Sequence, residues 1–116
     1  YYNHPGFFRE VKKYAPDLRA VFDVKQARLS GHPYEEYLAD MAGNIDTVHL
    51  SDVDASGKIR LPGRGTFDFE KLFGRLSDVG FSGDMLIEVY TNDYGDVSEF
   101  TESLAYLRDL KKKVFG

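Results

Sequence analysis

Residues 47–52 read Thr47-Val48-His49-Leu50-Ser51-Asp52. A β-branched and aliphatic run ends in an imidazole and, three residues on, a carboxylate. Polar loop residues at the end of a strand account for such a pair, and so does half of a metal site. The surrounding sequence separates the two readings.

Three stretches share the short, apolar character of a strand: Leu18 to Val24, Ile45 to Leu50 and Met85 to Tyr90. Between them the apolar residues recur at helical spacing. Phe7, Phe8, Val11 and Ala15 form one such set, stopped by Pro16. Tyr34, Tyr37, Leu38 and Met41 form a second, with Pro33 as the first helical residue and Gly43 as terminator. Phe69, Leu72, Phe73, Leu76 and Val79 precede a glycine cap at Gly80. Val97, Phe100, Leu104, Leu107 and Val114 make the last stripe, with Lys111, Lys112 and Lys113 near its negative dipole end. Ser51 to Thr66 reads as a polar, glycine-bearing loop, and residues 1–4 (YYNH) offer a short fourth strand.

Strands separated by helices predict an α/β fold with parallel pairing and right-handed crossovers. A doubly wound sheet and a barrel both satisfy this order. At 116 residues the chain has room for a single domain, 1–116, with its own core. Its net charge of −4 provides no basic footprint for nucleic acid or an anionic membrane. No apolar run reaches the length of a membrane-spanning helix. The absence of cysteine excludes disulfides and thiolate metal sites, and fits a cytoplasmic protein. The chain opens at Tyr1 in what reads as mid-element sequence, as a piece of a longer protein would.

Each strand carries a metal-ligating side chain at its C-terminal end: Asp23, His49 and Glu88. Parallel strands end at the same edge, which is where α/β barrels place their active sites. An acid between Ile87 and Val89 has to face water or a polar interior. Oxygen and imidazole donors together suit Mn²⁺, Mg²⁺, Co²⁺ or Zn²⁺. The loop after His49 adds Lys58, Arg60 and Arg64, the last inside Pro62-Gly63-Arg64-Gly65. Such cations hold a substrate phosphate or carboxylate when left unpaired. The Gly-Arg-Gly sequence is neither a Walker nor a dinucleotide signature.

The run "FDVKQA…GNIDTVHLSD…LPGRGTFDFEKLFGRLSDVGFSGDMLIEVY" resembles the C-terminal half of the sugar phosphate isomerase/epimerase family, whose fold is the xylose isomerase-like TIM barrel shared with endonuclease IV. The resemblance implies the C-terminal half of a TIM (β/α)8 barrel, with the three strands as its sixth to eighth. It makes Asp23, His49 and Glu88 three of four ligands to a divalent metal ion, with a fourth glutamate upstream of Tyr1. It further implies that Gln26 stands where many members have a substrate-contacting histidine; a glutamine still bonds a sugar hydroxyl but does not titrate near neutral pH. Lys25 beside it is a candidate substrate cation. Lys58-Ile59-Arg60 replaces the second zinc pair of endonuclease IV, so a trinuclear zinc nuclease fits poorly.

The expected function is a metal-dependent isomerase or epimerase acting on a small-molecule sugar or sugar phosphate through an enediolate, with Glu88 as a proton-transferring carboxylate. The competing expectation is a half-barrel without activity, a structural or binding module. Three or four strands do not close a barrel, and Val21, Ile45 and Leu86 are expected on its uncovered inner face. The chain is therefore expected to form a homo-oligomer or to pack on its own N-terminal half.

Overall fold

In a computed structural model, residues 4–116 of the chain are described. The proposed strand in residues 1–4 falls mostly outside them. Helix α1 (Phe7–Lys12) is followed by strand β1 (Ala20–Asp23) and two helices, α2 (Val24–Ser30) and α3 (Tyr34–Met41). Strand β2 (Ile45–Leu50) leads into a short hairpin, β3 (Asp52–Val53) and β4 (Ile59–Arg60). Helix α4 (Phe69–Asp78), strand β5 (Asp84–Ile87), a 3-10 turn (Thr91–Asp93) and helix α5 (Val97–Phe115) complete the chain. The three main strands form one sheet in the order β1-β2-β5, with β1 parallel to β2. This is an α/β fold with strands and helices in alternation. None of the described helices is long and apolar enough to cross a membrane.

The described chain divides into two compact units, one of residues up to His49 with Arg75–Leu86, the other of Leu50–Gly74 with Ile87–Gly116. In the first, one face of the strands is sealed by helices: Phe22 and Val48 are fully buried, with Tyr37, Leu38 and Met41 of α3, and the Phe22 ring lies 6.2 Å from that of Tyr34. Gly6 offers α1 no side-chain cap. The buried Asp40 supplies one from α3, accepting hydrogen bonds from the amides of Phe8 (3.0 Å) and Arg9 (3.1 Å). The other strand face is open, with Val21 47% and Leu86 53% exposed. Ile45, expected on that open face, is instead buried at the start of β2, where the β1–β2 register shifts between Ala20 and Val21.

In the second unit Phe69, Leu72 and Phe73 of α4 and Leu107 of α5 are buried. Phe69 meets the rings of Phe67 (4.7 Å) and Tyr106 (6.3 Å), and Phe73 that of Phe115 (6.0 Å). The Ser103 hydroxyl donates to the Pro62 carbonyl at 2.7 Å, tying the loop to α5. Val97, expected on the apolar stripe of α5, is exposed at its first turn.

The third strand, expected from Met85 to Tyr90, spans Asp84–Ile87, and two further elements depart from the sequence expectation. The first strand is four residues long, because Asp23 caps a helix, α2, that apolar spacing did not reveal. The signal was present as Asp23-Val24-Lys25-Gln26, an N-cap acid with glutamine three residues on, closed by Gly31 in the left-handed region (φ 81°). The loop from Ser51 to Thr66 holds the β3–β4 hairpin, too short for any periodicity to show.

Candidate metal centre

Asp23 and His49 are directly opposite one another in the register of β1 and β2. The two oxygens of Asp23 have different tasks. Oδ1 accepts the Gln26 amide at 3.0 Å as the cap of α2, and Oδ2 faces His49 Nδ1 at 3.5 Å. That separation exceeds a charge-assisted hydrogen bond. It approaches the about 3.0–3.4 Å that separates two donors each about 2.1 Å from one ion. Asp23 is buried and His49 half-buried. Gln26 is held by the same cap, and its side-chain carbonyl Oε1 is buried and accepts no hydrogen bond from the described residues. Lys25 lies beside it in the first turn of α2, half-buried and engaged by a neighbour.

Glu88 directly follows β5, and its amide donates to the Leu50 carbonyl at 2.9 Å. Leu50 is the residue after His49, so the last strand is fastened beside the end of β2. The approach to β5 explains the Gly-Phe-Ser-Gly sequence. Gly80 caps α4 in the left-handed region (φ 74°), Phe81 is buried, and a Cβ at Gly83 would lie 2.0 Å from the Asp46 carbonyl oxygen. Asp23 and His49 offer a carboxylate and an imidazole, donors of the kinds that divalent metal ions take.

Asp52, the carboxylate of the opening His-x-x-Asp motif, has another role. It is 1% exposed and accepts four backbone amides: Val53 (2.8 Å) and Phe67 (2.9 Å) on Oδ1, Gly63 (3.0 Å) and Gly65 (3.0 Å) on Oδ2. It therefore folds the Leu61–Phe67 loop around itself. Gly63 is in the left-handed region (φ 94°). Sequence reading left this acid between a polar strand end and half of a metal site, and missed its part as the anchor of the loop. A glycine pair downstream of a strand-end acid is the signal that points to it.

The two arginines of the loop are engaged, Arg60 within the hairpin and Arg64 with helix α5. Arg60 Nε donates to Asp54 Oδ2 at 2.9 Å, and Asp54 also accepts the Ser56 hydroxyl and the amides of Ser56 and Lys58. These bonds, the Ser56 hydroxyl and the Arg60 guanidinium foremost, hold the Asp54 carboxyl well below the usual carboxylate range. Arg64, expected to meet substrate, donates to Glu102 Oε2 at 2.6 Å and lies 3.7 Å from Glu99 Oε1, both on α5.

The chain matches no protein-family model and no curated protein sequence. Solved structures do resemble it. A 3-keto-D-glucoside 4-epimerase from E. coli is 24% identical, with a TM-score of 0.64 over 78% of this chain and 33% of that one. An L-ribulose 3-epimerase is 21% identical, with a TM-score of 0.53 over 75% of this chain and 28% of that one. A D-psicose 3-epimerase is 14% identical, with a TM-score of 0.62 over 84% of this chain and 38% of that one. The chain thus has a sugar isomerase/epimerase-like fold and spans about a third of the length of these epimerases.

Proposed function

We propose that this chain carries three ligands of a divalent-metal-dependent sugar isomerase or epimerase: Asp23, His49 and Glu88. The reading rests chiefly on the in-register Asp23–His49 pair, with an Asp23 oxygen and a His49 nitrogen 3.5 Å apart at the C-terminal end of parallel strands. The likeness of the fold to sugar epimerases supports it. A bound Mn²⁺, Mg²⁺, Co²⁺ or Zn²⁺ would supply charge to polarise the sugar carbonyl. Glu88 then takes the proton from the carbon next to that carbonyl. Return of a proton to the opposite face of the same carbon gives an epimer, and return to the neighbouring carbon gives an isomer. Gln26 bonds a sugar hydroxyl, and Lys25 flanks it. Arg64 reaches a substrate anion only by exchanging Glu99 and Glu102 for it.

Val21 and Leu86 favour a further statement about assembly: the chain buries these side chains against a second copy of itself or against more of its own protein.

The test uses the protein that contains this chain, with metal content read by elemental analysis and catalysis by deuterium uptake from D₂O into ketoses. Asp23→Asn, His49→Gln and Glu88→Gln are each expected to lower both. Unchanged metal content in all three variants would remove the site reading.

A further inference from the structure

We infer that Asp52 is a positioning residue for Glu88, acting through the Leu50 carbonyl. The inference rests on the reading of Glu88 as metal ligand and proton-transferring carboxylate, and adds what holds it in place.

Leu50, Ser51 and Asp52 are consecutive and all buried, none more than 5% exposed. They form a corner. At one end Leu50 closes β2, and its carbonyl accepts the Glu88 amide at 2.9 Å. At the other end Asp52 opens β3, opposite Arg60 of β4. Its carboxylate gathers the amides of Val53, Gly63, Gly65 and Phe67 at 2.8–3.0 Å. Two peptide units, a span of at most about 7 Å, separate the two anchor points.

A buried segment this short passes a displacement on, because close packing leaves its side chains no free volume in which to absorb one. Glu88 stands just beyond β5, directly after Ile87. Two residues on, the Tyr90 amide donates to Asp93 Oδ2 at 2.7 Å as the 3-10 turn begins. The Leu50 bond thus fixes the Glu88 main chain at the point where strand gives way to turn.

The Leu61–Phe67 loop is also tied to α5. The Ser103 hydroxyl donates to the Pro62 carbonyl, the Tyr106 ring lies against Gly63, and Arg64 pairs with Glu102. What Asp52 adds is a tie from this loop to the corner that carries Leu50. A misplacement of about 1 Å costs a reacting group about a hundredfold in rate, so the stiffness of that corner bears on what Glu88 can do.

The experiment measures amide hydrogen exchange and Mn²⁺ affinity in the protein that contains this chain. Asp52→Asn is compared with Gly65→Ala, which keeps the carboxylate but crowds it. The control is Leu107→Ala, a core change on α5 that leaves Asp52 and its donors in place. In Asp52→Asn the Glu88 amide is expected to exchange at least about tenfold faster, equal to about 1.4 kcal/mol. The Leu72 amide of α4, bonded to the Asp68 carbonyl, is expected to change less. Mn²⁺ affinity is expected to fall by about tenfold with the Glu88 change. Gly65→Ala is expected to shift both readouts in the same direction, and it decides the matter should Asp52→Asn not fold. A Glu88 amide accelerated no more than that of Leu72, or Mn²⁺ affinity no lower than in Leu107→Ala, overturns the inference and leaves the metal reading intact. A parent protein that binds no Mn²⁺ overturns both.

Discussion

The Gly65 amide donates to Asp52 Oδ2 at 3.0 Å, and a Cβ built on Gly65 would stand 2.5 Å from Asp52 Oδ1 and 2.4 Å from the Val53 carbonyl oxygen. The same approach that makes the hydrogen bond leaves no room for a side chain. Gly65→Ala is therefore expected to destabilise the protein by about 1–3 kcal/mol through displaced backbone. Asp52→Asn keeps the shape but turns a donor toward amides that need an acceptor, at a cost of about 1–3 kcal/mol. Urea unfolding of both variants checks this; midpoints equal to the parent's would show that the loop is not anchored there.

Two glycines in and beside α4 predict opposite outcomes. Gly83→Ala forces a methyl against the Asp46 carbonyl at 2.0 Å and is expected to loosen the start of β5, by about 1–3 kcal/mol. Gly74 lies inside α4, and a Cβ there would meet nothing within 4 Å. Gly74→Ala should stabilise by up to about 1 kcal/mol through helix propensity. Thermal unfolding of the pair gives both signs in one experiment.

Asp54 is expected to titrate below its ordinary value of 3.8, because the folded hairpin surrounds its ionised form with donors. A carboxyl depressed in the folded state contributes stability that is fully present above the unfolded value. That contribution is lost as pH falls through the lower folded value, so the β3–β4 hairpin should keep it at pH 5. The carboxyl ¹³C shift of Asp54, followed from pH 6 to pH 2, reads it directly. A midpoint at or above 3.8 would contradict the hydrogen bonds described. Arg60→Gln should move the midpoint upward.

Asp23 caps α2 and, in the proposed site, would also bind metal, so its substitution should separate the two roles. Asp23→Asn retains an acceptor for the Gln26 amide, so α2 stays capped while one anionic donor is lost. Metal affinity is expected to fall by at least about tenfold with helix content unchanged. Isothermal titration with Mn²⁺, alongside circular dichroism, distinguishes this from simple unfolding, in which both signals would drop.

The open strand face predicts association. Val21 and Leu86 are about half exposed, and full burial of such side chains is worth about 1.5–3 kcal/mol each. The 116-residue chain should self-associate in light scattering, and Val21→Ser with Leu86→Ser should weaken that association. A monodisperse monomer at high concentration would show that these side chains do not drive it.

The alternation of strands and helices, the strand-end positions of Asp23 and His49 and the helix-ending glycines Gly43 and Gly80 follow from local information. Apolar period and glycine placement are written along a few consecutive residues, and the physics they report is equally local. Tertiary structure decided what the polar groups do. Asp52 meets Gly65 thirteen residues away and Arg64 meets Glu102 thirty-eight residues away, so neither pairing has a signature in its own neighbourhood. The same acid reads as a ligand, a cap or a loop anchor until its donors are in place, because a carboxylate accepts from whatever the fold brings to it. Ile45 shows the limit for the apolar pattern as well: strand alternation assigns it a face, but the register shift beside it decides whether that face is covered.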